Sequence, residues 1–171
     1  MRKARWSLAS CSLFLFGSGL AWAGQYDEKD RAELAEALEG IKISLKQGLV
    51  ASEFKGKPIS GKFEVEDGKL QLSVYTAKGG TLSEVFVDPK TGRVPKVEAI
   101  EDDEDLTAAK AQADVMAKAK TTLRAAVDAA VKRSPGFRAV SVIPALKDGH
   151  PVADVTLMKG NEVKTDSEAL D

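Results

Sequence analysis

The residue types that most often do chemistry are sparse in this chain. Its 171 residues include one histidine and one cysteine. His150 stands between Gly149 and Pro151 at an expected hairpin, where a solvated turn residue outweighs a general base. Cys11 lies in the apolar N-terminal run, so no thiol nucleophile is expected of the remainder. No His-x-x-x-His or Cys-x-x-Cys spacing is present, and one histidine does not make a zinc site without carboxylates. Gly79-Gly80 belongs to a hairpin turn rather than to the strand-to-helix junction that cradles a phosphate. The densest cluster is Glu101-Asp102-Asp103-Glu104-Asp105. It lacks the alternating ligand spacing and central glycine of a calcium loop. Negative charge ahead of a helix complements the helix's positive end, and a charged run also makes a solvated linker. Those structural readings are favoured over metal. The chain is therefore read as non-enzymatic, with no catalytic residue, metal ligand or cofactor named.

The front of the chain has a different character. Arg2, Lys3 and Arg5 precede a mostly apolar or small stretch over residues 6–20, and Ala21-Trp22-Ala23 stands before Gly24. This is the layout of an export signal with a small-x-small cleavage site. An uncleaved anchor is the rival, but a spanning helix needs about 20 apolar residues, and serines and glycines interrupt this run. Leu8-Ala9-Ser10-Cys11 resembles a lipobox, yet its apolar segment follows the cysteine instead of preceding it. Cleavage after residue 23 leaves 148 residues without cysteine or tryptophan, so stability must come from a core or from packing between parts of the chain. Twenty-two basic residues then face 26 acidic ones, a formal charge near −4. That balance argues against a nucleic-acid partner. No cationic amphipathic helix suggests a membrane surface, and no stable membrane insertion is expected once the signal is removed.

The elements that position the remaining side chains recur. A step of 81 residues carries Asp67-Gly68 onto Asp148-Gly149 and Lys78-Gly79 onto Lys159-Gly160, with alternating apolar stretches around both pairs. A period of this length marks a supersecondary unit used twice. In the first unit, Asp30-Arg31-Ala32-Glu33 has the spacing of a capping box, and Leu34, Leu38, Ile41, Leu45 and Leu49 line one face of an amphipathic helix. Ile59, Gly61, Phe63 and Val65 then alternate with polar residues up to Asp67-Gly68, which suits a type I′ turn. A second strand follows through Leu70, Leu72 and Val74, and a third runs from Leu82 to Val87. Asp88-Pro89-Lys90-Thr91-Gly92 is expected to close the unit. The second unit reads as a helix over 107–132 and strands at 138–147, 150–158 and 162–170, with no second Asp-Pro-x-Thr-Gly turn. Stepping by 81 along the helices pairs Leu38, Leu45 and Leu49 with Ala119, Ala126 and Ala130, so the second helix is expected to lie closer to its sheet.

Each unit resembles a PepSY domain, a helix followed by a three-stranded antiparallel sheet. Val85-Phe86-Val87-Asp88-Pro89-Lys90-Thr91-Gly92-Arg93-Val94 is similar to that family's closing strand and turn. Pro135-Gly136-Phe137-Arg138-Ala139 and Lys147-Asp148-Gly149-His150-Pro151 are similar to exported bacterial members. The resemblance covers roughly residues 30–95 and 108–171. The expected fold is α+β, two tandem helix-plus-three-strand units (α-β-β-β repeated). Residues 1–23 are the signal peptide, 24–100 the first domain, 101–106 an acidic linker and 107–171 the second domain. The resemblance implies a periplasmic or secreted bacterial protein that binds and inhibits or regulates a peptidase or another envelope protein. It carries no peptidase domain of its own to act on, so the inhibition would be in trans. Two other functions are weighed beside it: a cation- or small-ligand-binding envelope accessory, and a structural interaction module.

A three-stranded unit has two edges. They serve either to take a partner's extended segment or to pair with each other or with a second chain, as in a homo-oligomer. The expected interaction surface is the third strand of the first unit with its turn, around Glu84, Phe86, Asp88 and Lys90.

Overall fold

The apolar stripe from Leu34 to Leu49 is buried as its spacing predicts, but two helices carry it instead of one. A computed structural model describes residues 28–171; the signal segment expected over residues 1–23 lies outside the described residues. Helix α1 spans Glu28–Ala37 and α2 spans Leu45–Ser52. Gly40 takes φ +76°, a left-handed conformation that ends the first helix. Ser44 begins the second with a reciprocal cap: its hydroxyl accepts from Gln47 N at 3.2 Å, and its own N–H donates to Gln47 Oε1 at 2.8 Å. The expected capping residue Asp30 lies inside α1. The second expected helix is likewise two, α3 (Asp103–Lys118) and α4 (Leu123–Arg133). Ala119 is extended at ψ 134°, and the Thr122 hydroxyl caps α4 by accepting from Ala125 N at 3.2 Å.

The acidic run opens α3. Asp102 is the N-cap, accepting from Glu104 N at 3.2 Å, and Asp103, Glu104 and Asp105 fill the first turn at the positive end of the helix. Residues 103–106, expected in a linker, are therefore helical. The N-caps Ser44 and Thr122 are 78 positions apart, because α4 is three residues longer than α2. The helix ends, Ser52 and Arg133, keep the spacing of 81, so the extra residues of α4 lie at its start. Gly48 is the small residue that permits close packing: a Cβ there would lie 2.3 Å from Leu72 Cδ2.

Seven strands follow the two helix pairs: β1 (Lys57–Glu66), β2 (Lys69–Lys78), β3 (Thr81–Val87) and β4 (Lys96–Ala99) after the first, then β5 (Arg138–Lys147), β6 (His150–Lys159) and β7 (Glu162–Ala169) after the second. They form one sheet in the order β4-β3-β2-β1-β5-β6-β7, antiparallel throughout. The fold is thus mixed α+β, with four helices and a seven-stranded antiparallel sheet among the described residues. The Asp-Gly turns are as expected, with Asp67 and Asp148 at φ 50° and 52°. The 81-residue step also governs two bulges, between Pro58 and Ser60 and between Ala139 and Ser141. Residues 88–92 do not close a unit. They turn β3 into β4, with Asp88 and Arg93 bonded N to O at 2.8 Å. The inner edges of the two strand groups pair with each other, Gly61 opposite Val142 and Lys62 opposite Ser141.

Helices α2 and α4 cover one face. A Cβ on Gly61 would sit 3.2 Å from Leu49 and 3.4 Å from Leu45, so the bare glycine lets α2 approach β1. Phe63, Leu72, Val74, Val85, Val142, Val155 and Leu157 are fully buried. Each large aliphatic removed from water contributes about 1.5–3 kcal/mol. Side chains alternate along a strand, so Ser60, Lys62, Ser73, Tyr75, Glu84, Phe86 and Ser141 leave the sheet on the other face, which α3 crosses through contacts with β3, β1, β5 and β6.

Candidate functional site

The expected interaction strand is not an edge. β4 pairs along β3, placing Glu98 opposite Glu84 and Lys96 opposite Phe86. Phe86 is 8% exposed, and Lys96 Nζ lies 5.1 Å above its ring. Asp88 serves the turn: its carboxylate accepts from Lys90 N at 2.8 Å and Thr91 N at 3.0 Å, and those two backbone donors hold its pKa below the usual carboxylate value. Lys90 is exposed on the same turn. Glu84 alone of the four belongs to a cluster with chemistry of its own.

That cluster gathers on the α3 side of the sheet. Register sets Tyr75 of β2 directly opposite Glu84 of β3, with Glu98 of β4 beyond it. Glu64 of β1 shares the face, and Asp105 from the first turn of α3 comes down onto Tyr75. Two cations attend the cluster, Lys62 at 3.2 Å from Glu64 and Lys96 at 2.8 Å from Glu98. Four carboxylates thus share one half-enclosed patch with two ammonium groups. Burial pushes the Glu84 carboxyl up to about 7; the Ser73 hydroxyl beside it opposes this, while Glu64, Asp105 and Glu98 add to it. Burial and then Glu84 and Asp105 push the Tyr75 phenol far above its ordinary range. Asp105 is raised as well, by burial and by neighbouring Asp102. A carboxyl that titrates near neutrality both donates and accepts a proton, and its charge responds to small changes in pH. Among the described residues no group of three or more His, Cys, Asp or Glu side chains is arranged to hold a metal ion.

Tyr75, Glu64 and Glu98 were not singled out from the sequence, and Asp105 was read only as part of the acidic run. Alternation assigns Tyr75 and Glu64 to the polar face of their strands, but only the register of four strands and the landing point of α3 bring them to Glu84. His150 lies at the hairpin as expected, exposed, with Nδ1 2.8 Å from the Asp171 carboxylate.

Two other features are candidates for contact. A cavity of about 230 Å³ opens where α2, α3 and α4 meet the start of β1, walled by Leu49, Pro58, Met116 and Leu123 and rimmed by Glu53 and Arg124. The second feature is the outer side of β7, an eight-residue strand at the end of the sheet. Its Lys164, Asp166 and Glu168 turn toward α4 and the segment after it. Arg133 makes a two-pronged ion pair with Glu168, the Ser134 hydroxyl donates to Asp166 at 3.2 Å, and Lys164 lies 5.1 Å from the Phe137 ring.

Comparison with protein-family models, with curated proteins and with solved structures finds no match.

Proposed function

We propose that this chain is an exported, non-enzymatic binding protein of the bacterial envelope, composed of two tandem PepSY-like units, that holds a partner protein and thereby inhibits or regulates a peptidase. The tandem reading is supported by the 81-residue recurrence of the Asp-Gly turns and of the bulges, and by the helix pair ahead of each strand group. The observation that carries the binding reading is the β7 edge. Among the described residues no strand pairs with its outer side. An extended peptide segment adds to such an edge through main-chain hydrogen bonds, while side chains set specificity. The opposite edge, β4, is only four residues long and offers less to a partner. The binding edge is thereby moved from β3 to β7, because β4 occupies the outer side of β3.

The test is a titration of the purified protein into a panel of secreted metallo- and serine peptidases, following residual activity and the survival of the added chain. Hydrogen exchange of residues 162–169 is measured in any complex that forms. Stoichiometric loss of one activity, with the chain intact and its β7 amides slowed, is the expected result. Loss of activity with β7 amides unchanged sinks the edge mode, and digestion of the chain without inhibition of any peptidase sinks the inhibitor reading.

A further inference from the structure

The open edge of the sheet has a definite phase. The Leu170 N–H donates to the Pro151 carbonyl at 2.9 Å, and β7 runs along β6 from Val152 opposite Ala169 to Lys159 opposite Glu162 without a shift. In an antiparallel pair, residues that bond to the neighbouring strand alternate with residues whose N–H and C=O point away from it. Leu170 is of the first kind, and so are Glu168, Asp166, Lys164 and Glu162. Val163, Thr165, Ser167 and Ala169 therefore aim their backbone groups outward. Among the described residues no strand takes them up.

The sequence of this edge is its own complement. A second copy, turned about a two-fold axis perpendicular to the sheet, lies antiparallel and keeps its helices on the same sides. Residues opposite each other then share a face, so even-numbered positions meet even-numbered ones. An axis at Lys164 or at Asp166 sets that residue against itself as a like charge, which opposes pairing. An axis at Thr165 sets Lys164 of each copy opposite Asp166 of the other, two attractive pairs on the α4 side of the sheet. Val163 then faces Ser167, and Thr165 faces Thr165, so the outward backbone groups of both strands meet. Lys164 lies 3.5 Å from Asp166 in its own chain, and an ammonium has three donors to share. Glu162 opposite Glu168 is the one like-charged pair in this register, and Arg133 already holds Glu168.

We infer that β7 pairs with β7 of a second copy, antiparallel about a two-fold axis at Thr165, joining the two sheets into one. This rests on the same open edge as the binding reading and gives that edge its occupant in the free protein. Growth stops at two chains, because the outer edge β4 is only four residues long. A peptidase segment that adds to β7 has to displace the second copy, so dimerisation and partner binding compete for one edge.

Sedimentation velocity of the purified protein from roughly 1 μM to 1 mM tests this. The wild type should shift with concentration from one chain to two. Lys164→Asp sets carboxylate against carboxylate and should weaken association by about tenfold. Adding Asp166→Lys to it restores opposite signs and should recover most of that loss. In a Cys11→Ser background, Thr165→Cys should give a disulfide between chains under mild oxidation, since bonded antiparallel partners lie about 5.5 Å apart at Cα. Lys164→Cys and Asp166→Cys should crosslink far more slowly, and this comparison decides the register if the charge variants fail to fold. A single chain at every concentration, association unchanged by Lys164→Asp, no recovery in a folded double variant, or fastest crosslinking at position 164 or 166 would overturn the pairing. Inhibition of a peptidase by a protein that never dimerises would overturn the pairing alone, whereas a dimer with this register that inhibits no peptidase would support it and count against the binding reading.

Discussion

The two faces of the sheet are covered by helices that hold on in different ways. Helices α2 and α4 press leucine and valine into a layer of fully buried aliphatics, with Gly48 and Gly61 removing the side chains that would keep them apart. Helix α3 lies over serines, a lysine, a tyrosine and carboxyl groups, and it buries only Ala109, Val115 and Met116 in return. The centre of the first face is aliphatic, and its buried charge, Glu168 paired with Arg133, stands at the β7 margin. The second holds Glu84, whose burial raises its pKa to about 7. One sheet therefore carries an aliphatic layer on one side and a cluster of carboxyl groups on the other.

The sharpest way to test that contrast is to remove an equal piece from each face. Leu49→Ala on the scaffold side leaves a cavity beneath α2 and is expected to cost about 2–5 kcal/mol of unfolding free energy. Leu106→Ala under the first turns of α3 starts from a half-buried side chain and should cost roughly 1 kcal/mol. Chemical denaturation of both variants checks the ordering. Equal losses would mean that α3 is as much a part of the core as α2.

The next effect is a pH dependence confined to the polar face. Glu84 has its pKa raised from 4.5 to about 7 in the folded chain. Its stabilising contribution is therefore fully present below about pH 4.5, declines as pH rises to about 7, and is constant beyond. Across that interval the loss is at most roughly 3 kcal/mol. Asp105, also raised, acts in the same direction, whereas Asp88 is lowered and its contribution disappears only as pH falls through the acid range. Thermal melts from pH 4.5 to 8 should show the decline in the wild type and a smaller one, left by Asp105, in Glu84→Gln. A wild-type melting temperature that rises over that range would contradict the assignment.

The scaffold side was the more legible in sequence, for a physical reason. Its signals are local: Asp-Gly at two hairpins, strict alternation along Phe63 and Val65 or Leu72 and Val74, and apolar residues every three or four positions in the helices. The helix breaks were hidden because the apolar stripe runs unbroken through Leu38, Ile41 and Leu45 although the backbone does not. The signal was present in Ser44 with Gln47 three residues on, a capping pair that the longer periodicity masked. Strand β4 was missed because four residues carry too little alternation to be seen beside a proline-containing turn. The carboxyl cluster depends on register across β1 to β4 and on where α3 lands, both set by contacts far apart in sequence.

Helix caps offer a comparison between the two halves. Ser44 and Thr122 each satisfy a backbone N–H at the start of the helix that precedes a strand group. Ser44→Ala and Thr122→Ala are each expected to cost about 1 kcal/mol. Ser44→Ala should cost slightly more, because its cap is reciprocal with Gln47. Matching losses in denaturation would support equivalent roles for α2 and α4. A large asymmetry would mean that one half depends on its helix far more than the other.

The smallest expected effect lies where the halves meet. Lys46 of α2 and Asp128 of α4 approach to 2.6 Å, but both remain about half exposed. Water and salt screen such a pair, and holding two flexible side chains together has an entropic cost. A double-mutant cycle with Lys46→Ala and Asp128→Ala should give a coupling of roughly 0.2–1 kcal/mol, fading in 1 M salt where the screening length is about 3 Å. The neighbouring Glu53 and Arg124 pair, at 3.3 Å and similarly exposed, should behave alike. Coupling that exceeds this range and persists in salt would assign the union of the halves to charge pairing. The expected small value leaves that union to the β1–β5 strand pairing and the leucines beneath α2 and α4, where the same apolar layer stabilises both halves.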